Sequence, residues 1–185
     1  MPSDAGNNAW VRVWDPVVRL FHWSLALSFA VAWLSAHSSD YLHMLAGYAA
    51  GGLILLRLVW GFMGTPHARF ASFVRSPKTV LAYLKAILAG SEARHIGHNP
   101  AGGAMIVALM LGMAATAFTG WLLTTDAFWG NPWMAHLHHW SADGMLLLVC
   151  AHLAGVALAS FRHRENLVAA MIFGRKRAAD ADAAE

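Results

Sequence analysis

The stretch from His136 to His163 reads HLHHWSADGMLLLVCAHLAGVALASFRH and decides how the rest of the chain is read. It is a long apolar run with His138 near one end and His152 fourteen residues on. At about 100° per residue, fourteen steps bring a side chain back to within roughly 40° of its starting face, and at about 1.5 Å per residue they carry it roughly 21 Å along the axis. A hydrocarbon core is about 30 Å thick. One helix therefore presents two imidazoles on one face, one towards each membrane surface. Imidazole is a common ligand of haem iron, so the spacing predicts a helix that gives one axial ligand to each of two stacked haems. Two further ligands must then come from elsewhere in the chain.

Composition agrees with a membrane setting. Of 185 residues, 58% are hydrophobic and 12% charged, and the mean hydropathy is +0.47. Such a composition predicts an integral membrane protein with a single domain over residues 1–185. The single cysteine, Cys150, excludes a disulfide within one chain. No C-x-x-C-H occurs, so a haem would be held without thioether links. There is no nucleophile–base arrangement, phosphate loop or nucleic-acid motif. The basic loops suit anionic lipid, so the bilayer is the expected partner and nucleic acid is not.

Four apolar runs are long enough to cross a bilayer, at about 17–36, 42–63, 104–123 and 137–161. The fold class expected is an all-α membrane protein, a four-transmembrane-helix bundle. The first nine residues are polar or small, and the first run has no convincing cleavage site, so it reads as a retained signal anchor. Between the second and third runs, Ser76-Pro77 looks like an N-cap followed by Pro at the first helical position, and Gly90 like a stop. Val80, Leu84, Ile87 and Leu88 make an apolar stripe there, which predicts a short surface helix over about 77–89. A second is expected over about 165–173, closed by Arg175-Lys176-Arg177 before an acidic, disordered tail. Trp10, Trp14 and Trp23 at one surface, and Phe128, Trp129 and Trp133 at the other, read as aromatic belts.

Charge gives the orientation. All thirteen Lys and Arg fall before or at the start of the first span, at the far end of the second, in the second–third connection, or after the fourth. The other two loops have none. The positive-inside rule therefore predicts that both termini are cytoplasmic.

The histidines can then be placed by depth. His22 lies near the cytoplasmic end of the first span and His152 in the cytoplasmic half of the fourth; His43 and His138 lie near the outer ends of the second and fourth. They sort into two depth-matched pairs, His22 with His152 and His43 with His138, each drawn from two helices, as a bis-His haem requires. Packing or interfacial histidines are the alternative, but intramembrane ionisable residues are costly and functional by default. His136 and His139 compete with His138; counted back from His152 along a helix, both face roughly the opposite way. That phase holds only if the helix begins before Ser141. His95 and His98 lie at metal-ligand spacing in a loop without further ligands nearby. Gly47 and Gly51 stand four residues apart on the second span, where they let either a flat macrocycle or another helix approach the backbone. Arg19 and Arg57 lie near the depth of the inner pair, where they either hold haem propionates or anchor the chain at the surface. Asp143 either moves protons near the outer pair or is stabilised by a helix N-terminus.

These residues carry a resemblance. Trp14-Asp15-Pro16 with Arg19, His22 and Trp23 (VWDPVVRLFHW) resembles the opening signature of the bacterial four-helix b-type cytochromes, and Gly97-His98-Asn99-Pro100-Ala101-Gly102 resembles the segment entering their third helix. The four-histidine pattern is similar to their ligand set. The resemblance covers about Val11 to His163. It points to the family that includes cytochrome b561 and the cytochrome b subunits of nickel–iron hydrogenases and formate dehydrogenases. It implies two non-covalent b haems in the bacterial inner membrane, passing electrons between the quinone pool and a periplasmic or membrane redox protein, a cytochrome c or a hydrogenase-like partner. A haem-bearing anchor subunit of a hydrogenase or formate dehydrogenase-type complex is the alternative within this family. A His-lined metal-ion transporter is the competing class; it calls for carboxylates at the bilayer midplane, and Asp143 is the only candidate.

Overall fold

The computed structural model describes residues 10–178; the polar start and the acidic tail lie outside the described residues. Four helices are long and apolar enough to cross a membrane: α1 (Pro16–Ser35), α2 (Asp40–Met63), α5 (Pro100–Leu123) and α6 (Pro132–Arg162). Their starts are written locally. The side chains of Asp15, Ser39, Asn99 and Asn131 accept from the backbone N–H of Val18, Leu42, Gly102 and Met134. Pro16, Pro100 and Pro132 take the first helical position, where a missing N–H costs nothing. The Asn131–Pro132 pair starts α6 ahead of the expected Leu137, so His136 to His152 lie on one continuous helix.

The chain is an all-α membrane bundle. α1 packs along α2, α2 on α5, and α5 on α6. Ala50, Ile54, Met110, Met113 and Met145 form the shared core, with Phe21, Leu25, Phe29 and Leu148 packed against it. The two outer helices bury little besides: Val18 and Ser35 on α1, and Met134 on α6. The outward faces carry Leu20, Leu27, Leu55, Phe62, Leu111, Leu147 and Phe161, all exposed. Apolar surface on this scale is unstable in water and natural against lipid.

All basic residues lie at one end of the bundle, with the α2–α5 connection. That connection holds a 3₁₀ turn (Pro66–Ala68), α3 (Phe70–Phe73) and α4 (Pro77–Ala89). On α4 the expected apolar stripe divides: Tyr83 is buried with Val80 and Ile87 half-buried beside it, whereas Leu81, Leu84 and Leu88 are exposed. After α6 comes α7 (Leu167–Phe173).

The sequence reading of Arg175-Lys176-Arg177 as a simple basic stop is corrected here. Arg175–Arg177 is a strand, β2, paired antiparallel with β1 (Trp10–Arg12), Val11 opposite Lys176. Gly174 makes the entry possible: its φ is +77°, and a Cβ there would stand 2.7 Å from the Trp14 carbonyl oxygen. Alternation along the strand turns Lys176 inward. It is buried because Glu165 stands 3.3 Å from its Nζ and the His95 carbonyl accepts a hydrogen bond from it. Arg94 reaches the same Glu165 at 3.2 Å and donates to the Arg177 carbonyl. The two ends of the described chain are thus clasped together under the bundle.

Candidate metal centre

α6 makes little close backbone contact with α1 or α2. Two pairs of imidazoles reach across that separation. At the basic end His22 of α1 faces His152 of α6, with ring centres 6.4 Å apart and planes at 56°. At the far end His43 of α2 faces His138 of α6, with ring centres 6.0 Å apart and planes at 88°. A ligating imidazole nitrogen lies about 2 Å from a transition metal and about 1 Å from its own ring centre, so two rings on opposite sides of one ion have centres about 6 Å apart. Both pairs have the spacing that one iron between them needs. Directly packed rings usually lie about 4.5–7 Å apart too, so the separate helix origins and the shared α6 face matter as much as the distance.

The pairs differ in what holds them. His43 Nδ1 lies 2.8 Å from the Ala32 carbonyl oxygen. His138 Nδ1 lies 3.1 Å from the Thr116 carbonyl oxygen and 3.2 Å from Thr119 Oγ1. An imidazole whose Nδ1–H is donated to an oxygen presents Nε2 as the metal-binding nitrogen. At the basic end His22 Nδ1 is buried with no hydrogen-bond partner among the described residues. Trp23 packs edge-on against the His22 ring at 5.1 Å.

Among the competing histidines, His136 and His139 are exposed. His136 stacks on Trp140, with centres 6.1 Å apart. Only His138 of the three points at His43. The two glycines on α2 also separate. A Cβ on Gly51 would meet Ala117 Cβ at 3.6 Å, so Gly51 lies in the α2–α5 contact; a Cβ on Gly47 meets nothing within 4 Å. Gly47 leaves the backbone uncovered one turn along from His43. Gly120 on α5 is a glycine that the sequence did not single out: a Cβ there would stand 3.0 Å from His138 Cε1. Its only sequence signal is a small residue in a helix without histidine.

Arg57 is buried, and its guanidinium donates to the Ala68 carbonyl at 2.9 Å. It lies over the rings of Phe70 and Phe73, at 5.1 and 5.8 Å. Arg19 donates to the Ile172 carbonyl. Each arginine keeps a buried donor without a partner among the described residues, Nη1 of Arg57 and Nε of Arg19. Asp143 is exposed and lies well past the first turn of α6, so the helix N-terminus does not account for it.

The sequence reading gave little weight to two residues at the basic end. Asp15 accepts from the Thr65 hydroxyl and the Trp60 indole as well as capping α1. Burial pushes its carboxyl up, but those hydrogen bonds outweigh it and hold the group below its ordinary range. His98 is wedged between Trp14 and Phe73, with ring centres 4.4 and 5.0 Å away. Burial, and then the nearby cations Arg57 and Lys176, push its imidazole down to about 3. A neutral, enclosed His98 fills space between the α1 entry and the loop that leads into α5. No cluster of three or more His, Cys, Asp or Glu gathers among the described residues.

An all-α membrane bundle whose helices present imidazoles to one another in pairs defines a class, the haem-bearing membrane electron-transfer proteins. The family model of prokaryotic cytochrome b561 matches residues 13–174, and the chain belongs to that family. It is similar to a protein of Bradyrhizobium diazoefficiens described as a probable Ni/Fe-hydrogenase B-type cytochrome subunit, with 24% identity over 92% of this chain and 87% of that one. Proteins of Azotobacter vinelandii and Rhizobium leguminosarum with the same description are 26% and 23% identical, over 89% and 90% of this chain and 87% and 88% of their own. No solved structure matches. Haem b is the cofactor of this family, and the imidazole spacings, the carbonyl-held Nδ1 atoms and the uncovered Gly47 fit it.

Proposed function

We propose that the chain binds two non-covalent b haems, one between His22 and His152 and one between His43 and His138. It carries electrons across the membrane between a periplasmic or membrane-bound redox partner and the quinone pool. The observation that supports this most is that α6 meets a different helix at each of its two histidines, at a ring spacing of 6.4 and 6.0 Å. The two histidines of α6 lie roughly 21 Å apart along its axis. Bound haem supplies the one-electron chemistry of iron. The imidazoles of His22, His152, His43 and His138 would hold it, the carbonyls at His43 and His138 Nδ1 fix the tautomer of those two rings, and apolar side chains line the bundle around them. Arg19 and Arg57, each with an unpaired buried donor, hold propionate carboxylates at the basic end.

The positive-inside rule assigns the basic end to the cytoplasm of a bacterial inner membrane, with both termini there. The far pair then lies near the loop that carries Phe128, Trp129 and Trp133, where a periplasmic cytochrome c or a hydrogenase-like protein would dock. A reporter fused after Glu185 tests the orientation: activity only in its cytoplasmic form is expected, and periplasmic activity reverses it. For the quinone, dithionite-reduced protein is mixed with a ubiquinone or menaquinone analogue and the haem bands are followed by stopped flow. Prompt reoxidation that is lost in His43→Ala or His152→Ala supports the two-haem path. No reoxidation within seconds removes quinone from it and leaves a relay between proteins.

A second reading has support, in its hydrogenase form, in the relatives' descriptions. The chain is then the haem-bearing anchor of a hydrogenase or formate dehydrogenase-type complex. Affinity capture from native membranes followed by mass spectrometry separates the two: co-purification of a metal–sulfur oxidoreductase supports the anchor, and capture of the cytochrome alone supports the independent carrier.

A further inference from the structure

Building on that ligand set, we infer that Thr119 of α5 is a positioning residue for His138 and sets how strongly that ring donates to its metal. α5 contains no histidine, yet its Thr116 carbonyl and Thr119 hydroxyl lie 3.1 and 3.2 Å from His138 Nδ1. Thr119 is buried, and its hydroxyl donates to the Ala115 carbonyl at 2.8 Å. The Thr116 carbonyl, 3.1 Å from His138 Nδ1, can only accept, and with its own proton on a helix carbonyl Thr119 Oγ1 offers a second acceptor 3.2 Å from the same nitrogen. His138 Nδ1 must therefore carry the hydrogen, which it shares between Thr119 Oγ1 and the Thr116 carbonyl. Ser141 completes the seat: its hydroxyl donates to the His138 carbonyl at 2.8 Å and lies 3.4 Å from Thr119 Oγ1. On the next residue, Gly120, the lack of a side chain lets α5 come this close to the ring.

The physical consequence follows from the shared hydrogen. An acceptor on Nδ1–H moves electron density toward Nε2 and makes the ring a stronger donor. A stronger axial donor favours the oxidised metal and lowers its reduction potential. Two acceptors on one Nδ1–H, one of them a side chain that can be changed, make Thr119 a means of adjusting the far site alone. His22, with no acceptor at Nδ1 among the described residues, has no such control.

The test is a spectroelectrochemical titration of the purified holoprotein and of Thr119→Val and Thr119→Ser. His43→Ala identifies which step belongs to the far site. Thr119→Val keeps the volume and loses the acceptor; it is expected to retain both haems and to move the far midpoint to a more positive value, leaving the other step in place. The Thr116 carbonyl still holds the ring, so the step shifts without disappearing. Thr119→Ser restores the acceptor and is expected to titrate like the wild type. An unmoved far midpoint in Thr119→Val overturns the inference, as does an equal shift in Thr119→Ser. If Thr119→Val does not assemble, Thr119→Ala compared with Thr119→Ser decides by the same criterion. Full retention of both haems in His138→Ala overturns the ligand reading itself, a result separate from any of these.

Discussion

The two ends of the bundle solve the same geometric problem with different supports. At the far end both rings are gripped from behind: His43 by the Ala32 carbonyl, His138 by the Thr116 carbonyl and the Thr119 hydroxyl. At the basic end His22 has no such grip among the described residues. The same end of the bundle carries a network of charge and aromatic packing: Asp15 with Thr65 and Trp60, Arg57 over Phe70 and Phe73, His98 between Trp14 and Phe73, and the Glu165–Lys176–Arg94 cluster that closes the clasp. The far rings are held by two helix carbonyls and one hydroxyl. The ionisable groups of the bundle's basic end gather in the loops and the clasp beside it. The two histidine pairs are therefore expected to respond differently to perturbation.

The largest expected effect breaks one site and spares the other. His22→Ala or His152→Ala should remove the basic-end haem, and His43→Ala or His138→Ala the far one, each halving the haem per chain in a pyridine haemochrome assay. Loss of both from any single substitution would mean that the two ends are not independent.

Next come the glycines of the far site. Gly120→Ala places a Cβ 3.0 Å from the His138 ring, an overpacking that costs about 1–3 kcal/mol. It should weaken haem retention at the far site only. Gly47→Ala meets no protein atom within 4 Å, so the polypeptide tolerates it; if a macrocycle lies against Gly47, far-site haem is nonetheless lost. Retention of both haems in Gly47→Ala would assign that face to lipid.

Acid should act on the opposite end. His98 is held near 3, against an ordinary 6.5 in the unfolded chain. Its folded value is the lower one, so its contribution to stability is complete above 6.5 and falls as the pH drops below it. The unfolded state then binds a proton that the folded state refuses, at about 1.4 kcal/mol per pH unit. Thermal unfolding in detergent should show the basic-end haem band failing first between neutral pH and about 5. His98→Phe should flatten that dependence; an unchanged acid profile would point to another group. The smallest effect is expected from His136→Ala and His139→Ala, whose rings are exposed. Both haems should stay at wild-type levels, and loss of the far haem in either would refute the facing seen for His138.

The bundle was legible because its signals are local. Apolar length, N-cap residues and the prolines at 16, 100 and 132 mark where the helices begin. The depth pairing of the histidines followed from helical rise and alternating direction, and the rings of His22 and His152, and of His43 and His138, do meet across helices. What stayed hidden is non-local. Trp10 pairs with Arg177 from the opposite end of the chain, and no periodicity announces a two-stranded clasp that short. Lys176 reads as a surface charge until Glu165 and the His95 carbonyl are brought beside it. Thr119 and Gly120 carry no pattern in sequence, because their importance comes from a ring on another helix. The inward face of α4 also stayed hidden, because it is anchored by Tyr83, a residue outside the apolar stripe.

The central claim is that one chain presents two separate bis-imidazole sites. It is tested most directly by the haem-to-chain ratio of purified wild-type protein, with haem extracted into acidified solvent and protein quantified by amino-acid analysis. Two b haems per chain, both low-spin by electron paramagnetic resonance, are predicted. A ratio of one, or a high-spin signal from an iron with only one imidazole, would contradict it.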